Sequence, residues 1–179
     1  AKIYENGERT SYTYDEAGRL VQIDRYKGDG KLFSYEKYTY DANGNKTGIA
    51  TFESEEGVDP SSNEKKEETV KTYSYDPLNR LVASREDGDS ARYTYDSLGN
   101  LTIEEGTKGV TRYRYNNLNQ LISKEGKEGK IEYEYDERGN RIKEEGSFGT
   151  REYMYNYADK LVEGENEDGE TSEYEYNGL

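Results

Sequence analysis

The chemistry open to this chain is narrow. Its 179 residues include no histidine and no cysteine, which removes the commonest general base, the Ser–His and Cys–His nucleophile pairs, zinc–thiolate sites and disulfides. Carboxylates are plentiful, with 39 Asp and Glu, and a pair of them could act alone as acid and base. Their placement points elsewhere. Asp15, Asp41, Asp76, Asp96 and Asp136 hold one equivalent position in a recurring motif, and a residue repeated in that way is a turn device before it is a catalyst. Two acidic runs, Glu86-Asp87-Gly88-Asp89 and Asn166-Glu167-Asp168-Gly169-Glu170, lack the alternating ligand spacing of a calcium loop and read as solvated hairpin tips. No catalytic, cofactor-binding or metal-binding residue is expected, and the chain does not read as an enzyme.

Tyrosine is the other chemically capable residue. There are 20 tyrosines and no tryptophan, and sixteen of the tyrosines fall in the motif. A Tyr ring buries a large apolar surface while its hydroxyl keeps water or a partner. The motif is clearest at Tyr93-Thr94-Tyr95-Asp96-Ser97-Leu98-Gly99-Asn100-Leu101. Eight copies start at Tyr12, Tyr38, Tyr73, Tyr93, Tyr113, Tyr133, Tyr153 and Tyr174, with a 20-residue step from Tyr73 to Tyr153 and a final step of 21. A fixed period in this range marks a repeat architecture, so residues 1–179 are read as one repeat array.

The elements that carry these residues follow from the turn chemistry. After the second Tyr of each copy stands Asp15, Asp41, Asp76, Asp96, Asn116, Asp136 or Asn156. Three positions later comes Gly18, Gly44, Asn79, Gly99, Asn119, Gly139 or Asp159, all residues that tolerate positive φ. This predicts a three-residue hairpin loop, a type I turn closed by a left-handed residue forming a bulge, with the Asp or Asn side chain accepting a backbone N–H two residues on. A second turn in each period, such as Gly106-Thr107-Lys108-Gly109 or Gly126-Lys127-Glu128-Gly129, is assigned the same loop length. Turn residues recurring about every ten positions leave no 3.6-residue apolar spacing, which excludes helix. The fold class is all-β, an antiparallel meander of hairpins of about 20 residues each, roughly sixteen strands in all.

Three-residue loops at both ends predict a register. Tyr115 then faces Leu121, Tyr113 faces Ser123, Leu101 faces Tyr115, and Ile103 faces Tyr113. One face would carry Tyr73, Tyr75, Tyr93, Tyr95, Leu101, Ile103, Tyr113, Tyr115, Leu121, Tyr133, Tyr135, Tyr153 and Tyr155, with Ala83, Ser123 and Arg141 in the same rows. The opposite face would carry charges, with Glu104 between Arg92 and Arg112 and Lys124 opposite Glu132. Aromatic–aliphatic cross-strand pairs stabilise a sheet by roughly 0.2–1 kcal/mol each.

The gap between the copies at Tyr38 and Tyr73 is about fifteen residues longer than standard. Its polar, charged part predicts an exposed, mobile hairpin tip over about 55–69, a place where insertions are tolerated. Net charge is −14 with a sequence pI near 4.6, which repels phosphate backbones and anionic lipid. No apolar run approaches the length of a membrane span, so neither nucleic acid nor membrane insertion is expected. Sixteen strands at ~4.8 Å each would make an open sheet of about 75 Å, and such sheets curl or split because of their twist. With no sequence left for a covering layer, the tyrosine face must curve inward, meet another molecule or stay partly wet. Self-association through sheet edges or that face is one outcome.

The pattern Tyr-x-Tyr-Asp-x-x-Gly-Arg/Asn-Leu resembles the YD repeat of Rhs proteins, insecticidal toxin-complex subunits, bacterial wall-associated toxins and teneurins. The resemblance covers Tyr12 to Leu179 and is best at Tyr12–Leu20 and Tyr93–Leu101. It implies a curved or spiralling hairpin strip that forms the wall of a hollow shell. The partners implied are neighbouring repeats of the parent chain, with a toxic cargo enclosed or an extracellular scaffold formed, and the location implied is secreted or cell-surface. The family's self-cleaving region has no matching stretch here. The alternative is a carbohydrate- or cell-surface-binding module that uses the Tyr-rich face, by likeness to aromatic hairpin repeats of clostridial toxins and choline-binding proteins.

Overall fold

Alternating Tyr, Thr, Val and Ile favour pleated, half-buried strands, and Gly, Asn and Asp at fixed intervals end each strand before it lengthens. In the computed structural model, which describes residues 1–61 and 67–176, these segments form sixteen strands and no helix. They are β1 (Lys2–Ile3), β2 (Arg9–Tyr14), β3 (Leu20–Tyr26), β4 (Leu32–Tyr40), β5 (Lys46–Val58), β6 (Thr69–Tyr75), β7 (Leu81–Glu86) and β8 (Asp89–Tyr95). Then come β9 (Leu101–Gly106), β10 (Gly109–Tyr115), β11 (Leu121–Gly126), β12 (Gly129–Tyr135), β13 (Arg141–Gly146), β14 (Gly149–Tyr155), β15 (Leu161–Glu165) and β16 (Thr171–Glu173). Strand order in the sheet is chain order, an antiparallel meander throughout. The strands group into two compact units, Ala1–Ala91 and Arg92–Leu179.

The first unit holds a small apolar core. β4 and β5 are the longest strands, and across them Tyr35 faces Phe52 in register. Their rings stack with centroids 5.2 Å apart, an arrangement that adds about 0.5–1.5 kcal/mol beyond area burial. Leu32 completes the buried trio, and Tyr26 and Val58 pack against it. Val58 explains a departure from the sequence reading. β5 continues through Val58, which pairs with Leu32, so the chain stays in the sheet several residues past the start of the expected mobile tip. Residues 62–66 of that expected tip lie outside the described residues. In the second unit Ser123 is the only described residue that is buried, the motif tyrosines from Tyr93 to Tyr155 are half-buried, and Tyr157, Tyr174 and Tyr176 are exposed.

The register differs from expectation at both kinds of turn. Gly106 pairs with Gly109, so that loop has two residues rather than three, and Ile103 faces Arg112 rather than Tyr113. At the other end Tyr115 faces Leu121, but a bulge then admits Ile122, so Ser123 faces Arg114 and Lys124 faces Tyr113. The same shift sets Ser84, not Ala83, against Tyr73. A loop closed by a left-handed residue carries such a bulge, and a one-residue shift sends every residue beyond it to the other face. Ile103 and Ser123 therefore leave the tyrosine face. Glu104 and Lys124 join it, and Glu132 faces Ser123 rather than Lys124.

Candidate functional site

The repeated turn is the most elaborate construction in the molecule. At Asp96 the main-chain N–H donates to the Asn100 carbonyl at 2.9 Å, and the Gly99 N–H returns to the Asp96 carbonyl at 3.2 Å. The Asp96 carboxylate caps the loop: Oδ1 accepts the N–H of Leu98 at 2.9 Å and of Asn100 at 2.8 Å, while Oδ2 accepts the Asn100 side-chain amide at 2.9 Å. The scheme recurs at Asp15, Asp41, Asp76, Asn116, Asp136 and Asn156. Gly18, Gly44, Asn79, Gly99, Asn119, Gly139 and Asp159 all adopt the left-handed conformation, with φ between 57° and 92°. These hydrogen bonds favour the charged carboxylate and hold five aspartates below their ordinary value. The main-chain N–H of Arg19 and of Arg80 is the leading cause at Asp15 and Asp76. The side-chain amides of Asn45, Asn100 and Asn140 lead at Asp41, Asp96 and Asp136.

Sequence reasoning overlooked the residue that leaves each turn. Arg19 and Arg80 give Nε to the same carboxylate that caps their main chain, each at 2.7 Å. Where the cap is Asn116 the roles reverse, and its amide donates to Gln120 Oε1 at 2.7 Å. The signal was present in the string: an Asp cap is followed four residues later by Arg or Asn, and the Asn caps by Gln120 and Lys160.

In several copies of the motif the two tyrosine positions hold different partners. The second Tyr reaches back one hairpin to the residue opening the strand after the preceding cap. Tyr40 donates to the Leu20 carbonyl at 2.7 Å, Tyr75 to Lys46 at 2.9 Å and Tyr135 to Leu121 at 2.9 Å. Each acceptor sits at a bulge, where the ladder is locally disrupted. The first Tyr finds a carboxylate instead: Tyr113 donates to Glu104 at 3.0 Å, Tyr153 to Glu144 at 3.1 Å, and Tyr38 to Glu36. Burial first, and these carboxylates second, push Tyr38 and Tyr113 up to about 12. Arg141, which faces Tyr135, lies over the rings of Tyr133 and Tyr153 at 5.5 and 5.2 Å.

Of the expected tyrosine face, Tyr73, Tyr75, Tyr93, Tyr95, Tyr113, Tyr115, Tyr133, Tyr135, Tyr153 and Tyr155 are half-buried and alternate with exposed neighbours. Leu121 faces Tyr115, and Leu101 is half-buried. A groove of about 1080 Å³ lies in the first unit among Arg25, Glu36, Glu53, Glu67, Glu68 and Asp87. Its arginine is bound to Glu36 at 2.8 Å. Among the described residues no group of three or more carboxylates converges to hold a metal ion. The arrangement is one of hydrogen-bonded ties between successive hairpins, with hydroxyls and carboxylates serving neighbouring strands.

Comparison with known proteins follows the same lines. The teneurin YD-shell family model matches residues 58–179 and the RHS repeat model matches residues 1–31. The chain belongs to the teneurin YD-shell family. Within that family it is a structural repeat segment. Among solved structures, a TcdB2–TccC3 complex lacking its hypervariable C-terminal region aligns at 12% identity and a TM-score of 0.42, over 92% of this chain and 12% of that one. The TcdB2–TccC3 complex itself aligns at 12% identity and 0.43, over 90% and 12%. A protein of unknown function from Bacteroides fragilis aligns at 19% identity and 0.24, over 79% and 94%. The chain thus spans about an eighth of the TcdB2–TccC3 chains it matches. No curated protein matches it.

Proposed function

We propose that this YD-shell segment is wall material, a single hairpin-repeat array over residues 1–179 in a secreted or cell-surface parent protein. The wall either encloses a toxin cargo or serves as an extracellular scaffold. The observation that carries the proposal is the repeat-to-repeat stitching. Tyr40, Tyr75 and Tyr135 each tie their hairpin to the one before, which makes a continuous barrier of the meander. A hydrogen-bonded sheet leaves no gap for a passenger to thread, because each internal strand satisfies its backbone groups on both sides. The hydroxyls of Tyr38, Tyr40, Tyr75, Tyr113, Tyr135 and Tyr153 are engaged by carbonyls and carboxylates of the sheet, and the glycan-binding alternative gains no support. Photo-cross-linking residues placed at Tyr133 and Glu134 in the parent protein test the reading, since the two side chains project from opposite faces. A wall gives cross-links to an enclosed segment from one position only. A scaffold gives them to a separate protein, and equal capture of small solutes with no polypeptide from either position refutes both.

A further inference from the structure

The residue leaving each turn and the left-handed residue of the following turn alternate in step. Along the chain the six successive pairs are Arg19–Gly44, Asn45–Asn79, Arg80–Gly99, Asn100–Asn119, Gln120–Gly139 and Asn140–Asp159. Every Asn is followed by a left-handed residue with a side chain, and every Arg or Gln by glycine. Tolerance of positive φ explains why Gly, Asn and Asp occupy the second site. It does not explain why they alternate.

Geometry supplies the reason. The amide of Asn45 has two N–H protons, and both are used: one goes to the Asp41 carboxylate in its own turn at 2.9 Å, the other to Asn79 Oδ1 in the next turn at 2.7 Å. Asn100 divides its protons between Asp96 at 2.9 Å and Asn119 at 3.2 Å. Asn140 does the same with Asp136 at 3.0 Å and Asp159 at 2.9 Å. Asparagine is short, so it reaches the neighbouring turn only if that turn offers a side-chain oxygen. The longer residues do without one. Arg19 extends Nη1 to the main-chain carbonyl of Asp41 at 3.0 Å, which needs no side chain at Gly44. Gln120 uses its amide oxygen on Asn116 in its own turn at 2.7 Å, and its amide nitrogen would meet a Cβ at Gly139 at 3.4 Å, an ordinary contact, so it draws on no side chain there.

We propose that these positions form a matched code that couples each hairpin to its successor, with Asn requiring the side-chain oxygen of Asn or Asp and Arg or Gln dispensing with one, which leaves glycine free to take the left-handed site. The surface each tip recognises is the adjacent tip of complementary class. Repeats that look interchangeable are therefore not so. Sliding a hairpin by one repeat would set Asn against Gly or a long side chain against Asn, in an architecture where near-identical neighbours invite mispairing.

The test is a double-mutant cycle in the full chain, followed by urea denaturation. Asn100→Gln alone should lower the folding constant about fivefold, the worth of one ordinary hydrogen bond. Asn119→Gly alone loses the same bond and gains the backbone freedom of glycine. The double variant recreates the Gln120–Gly139 pairing and should return to within about threefold of the parent, so that the two changes couple by about fivefold. Effects that multiply to within about twofold, with no rescue in the double variant, overturn the code. The equivalent cycle with Asn140→Gln and Asp159→Gly reads the same coupling at an independent site. It decides the matter if an Asn100 variant fails to fold.

Discussion

Removing the Tyr135 hydroxyl tests the interpretation most directly. Tyr135→Phe keeps the ring and its half-buried packing and deletes only the donor to the Leu121 carbonyl, 2.9 Å away. A hydrogen bond of this kind contributes about 1 kcal/mol net, and up to about 3 kcal/mol where the orphaned acceptor is sealed from water. Tyr135 is half-buried, which favours the lower figure. The equivalent bonds of Tyr40 and Tyr75 lie in other repeats, and distant sites add within about 0.5 kcal/mol. The triple variant Tyr40→Phe, Tyr75→Phe, Tyr135→Phe should then lose about 3 kcal/mol, roughly a hundredfold in the folding constant. For a chain of this size each kcal/mol lowers Tm by about 2–4 °C. Urea and thermal unfolding followed by far-ultraviolet circular dichroism give both numbers. Tyr157, which is 94% exposed, provides the control, since its change to Phe should stay within about 0.5 kcal/mol. If Tyr135→Phe matches Tyr157→Phe, the hydroxyls do not tie the repeats together and the wall reading loses its carrying observation.

Acid should loosen the turns. The folded-state values of Asp15, Asp41, Asp76, Asp96 and Asp136 lie below their ordinary 3.8, so their contribution is present above about pH 4 and lost as pH falls through the depressed folded values. Urea midpoints from pH 7 to 2.5 should show this, with a shallower fall for Asp96→Asn. Alkali acts on the tyrosines with the opposite sense. Tyr38 and Tyr113 are raised to about 12, so stability should hold below pH 10 and fall as the folded protein titrates near 12. Absorbance at 295 nm should show Tyr113 titrating late, and Glu104→Gln should advance it. At Gly99, where φ is 92°, Ala should destabilise by about 1–2 kcal/mol, the cost of left-handed backbone for a residue with a Cβ. Equilibrium unfolding checks this, and an unchanged midpoint would contradict the strain argument.

Much of this was legible because turn chemistry is local. Asp96 and Gly99 stand three residues apart and cap one loop, so the meander, its sixteen strands and the family resemblance all follow from neighbours in the string. Cross-strand placement was less legible. Ile103 was expected beside Tyr113 and stands beside Arg112, because a two-residue loop and a three-residue loop both accept the Gly-x-x-Gly spelling. Glu104 and Lys124 moved to the tyrosine face because the bulge that the turn chemistry predicts adds a residue that the expected register did not count. The core of Leu32, Tyr35 and Phe52 was also missed, because it depends on how far β4 and β5 run together. By itself, then, the sequence determined the repeat, its Asp- and Asn-capped turns and its strand order, all of which rest on φ preferences and hydrogen bonds within five residues. Only the tertiary structure decided which side chains share a face and which hydroxyl meets which carbonyl. A shift of one residue costs the local backbone little and reverses every side chain beyond it.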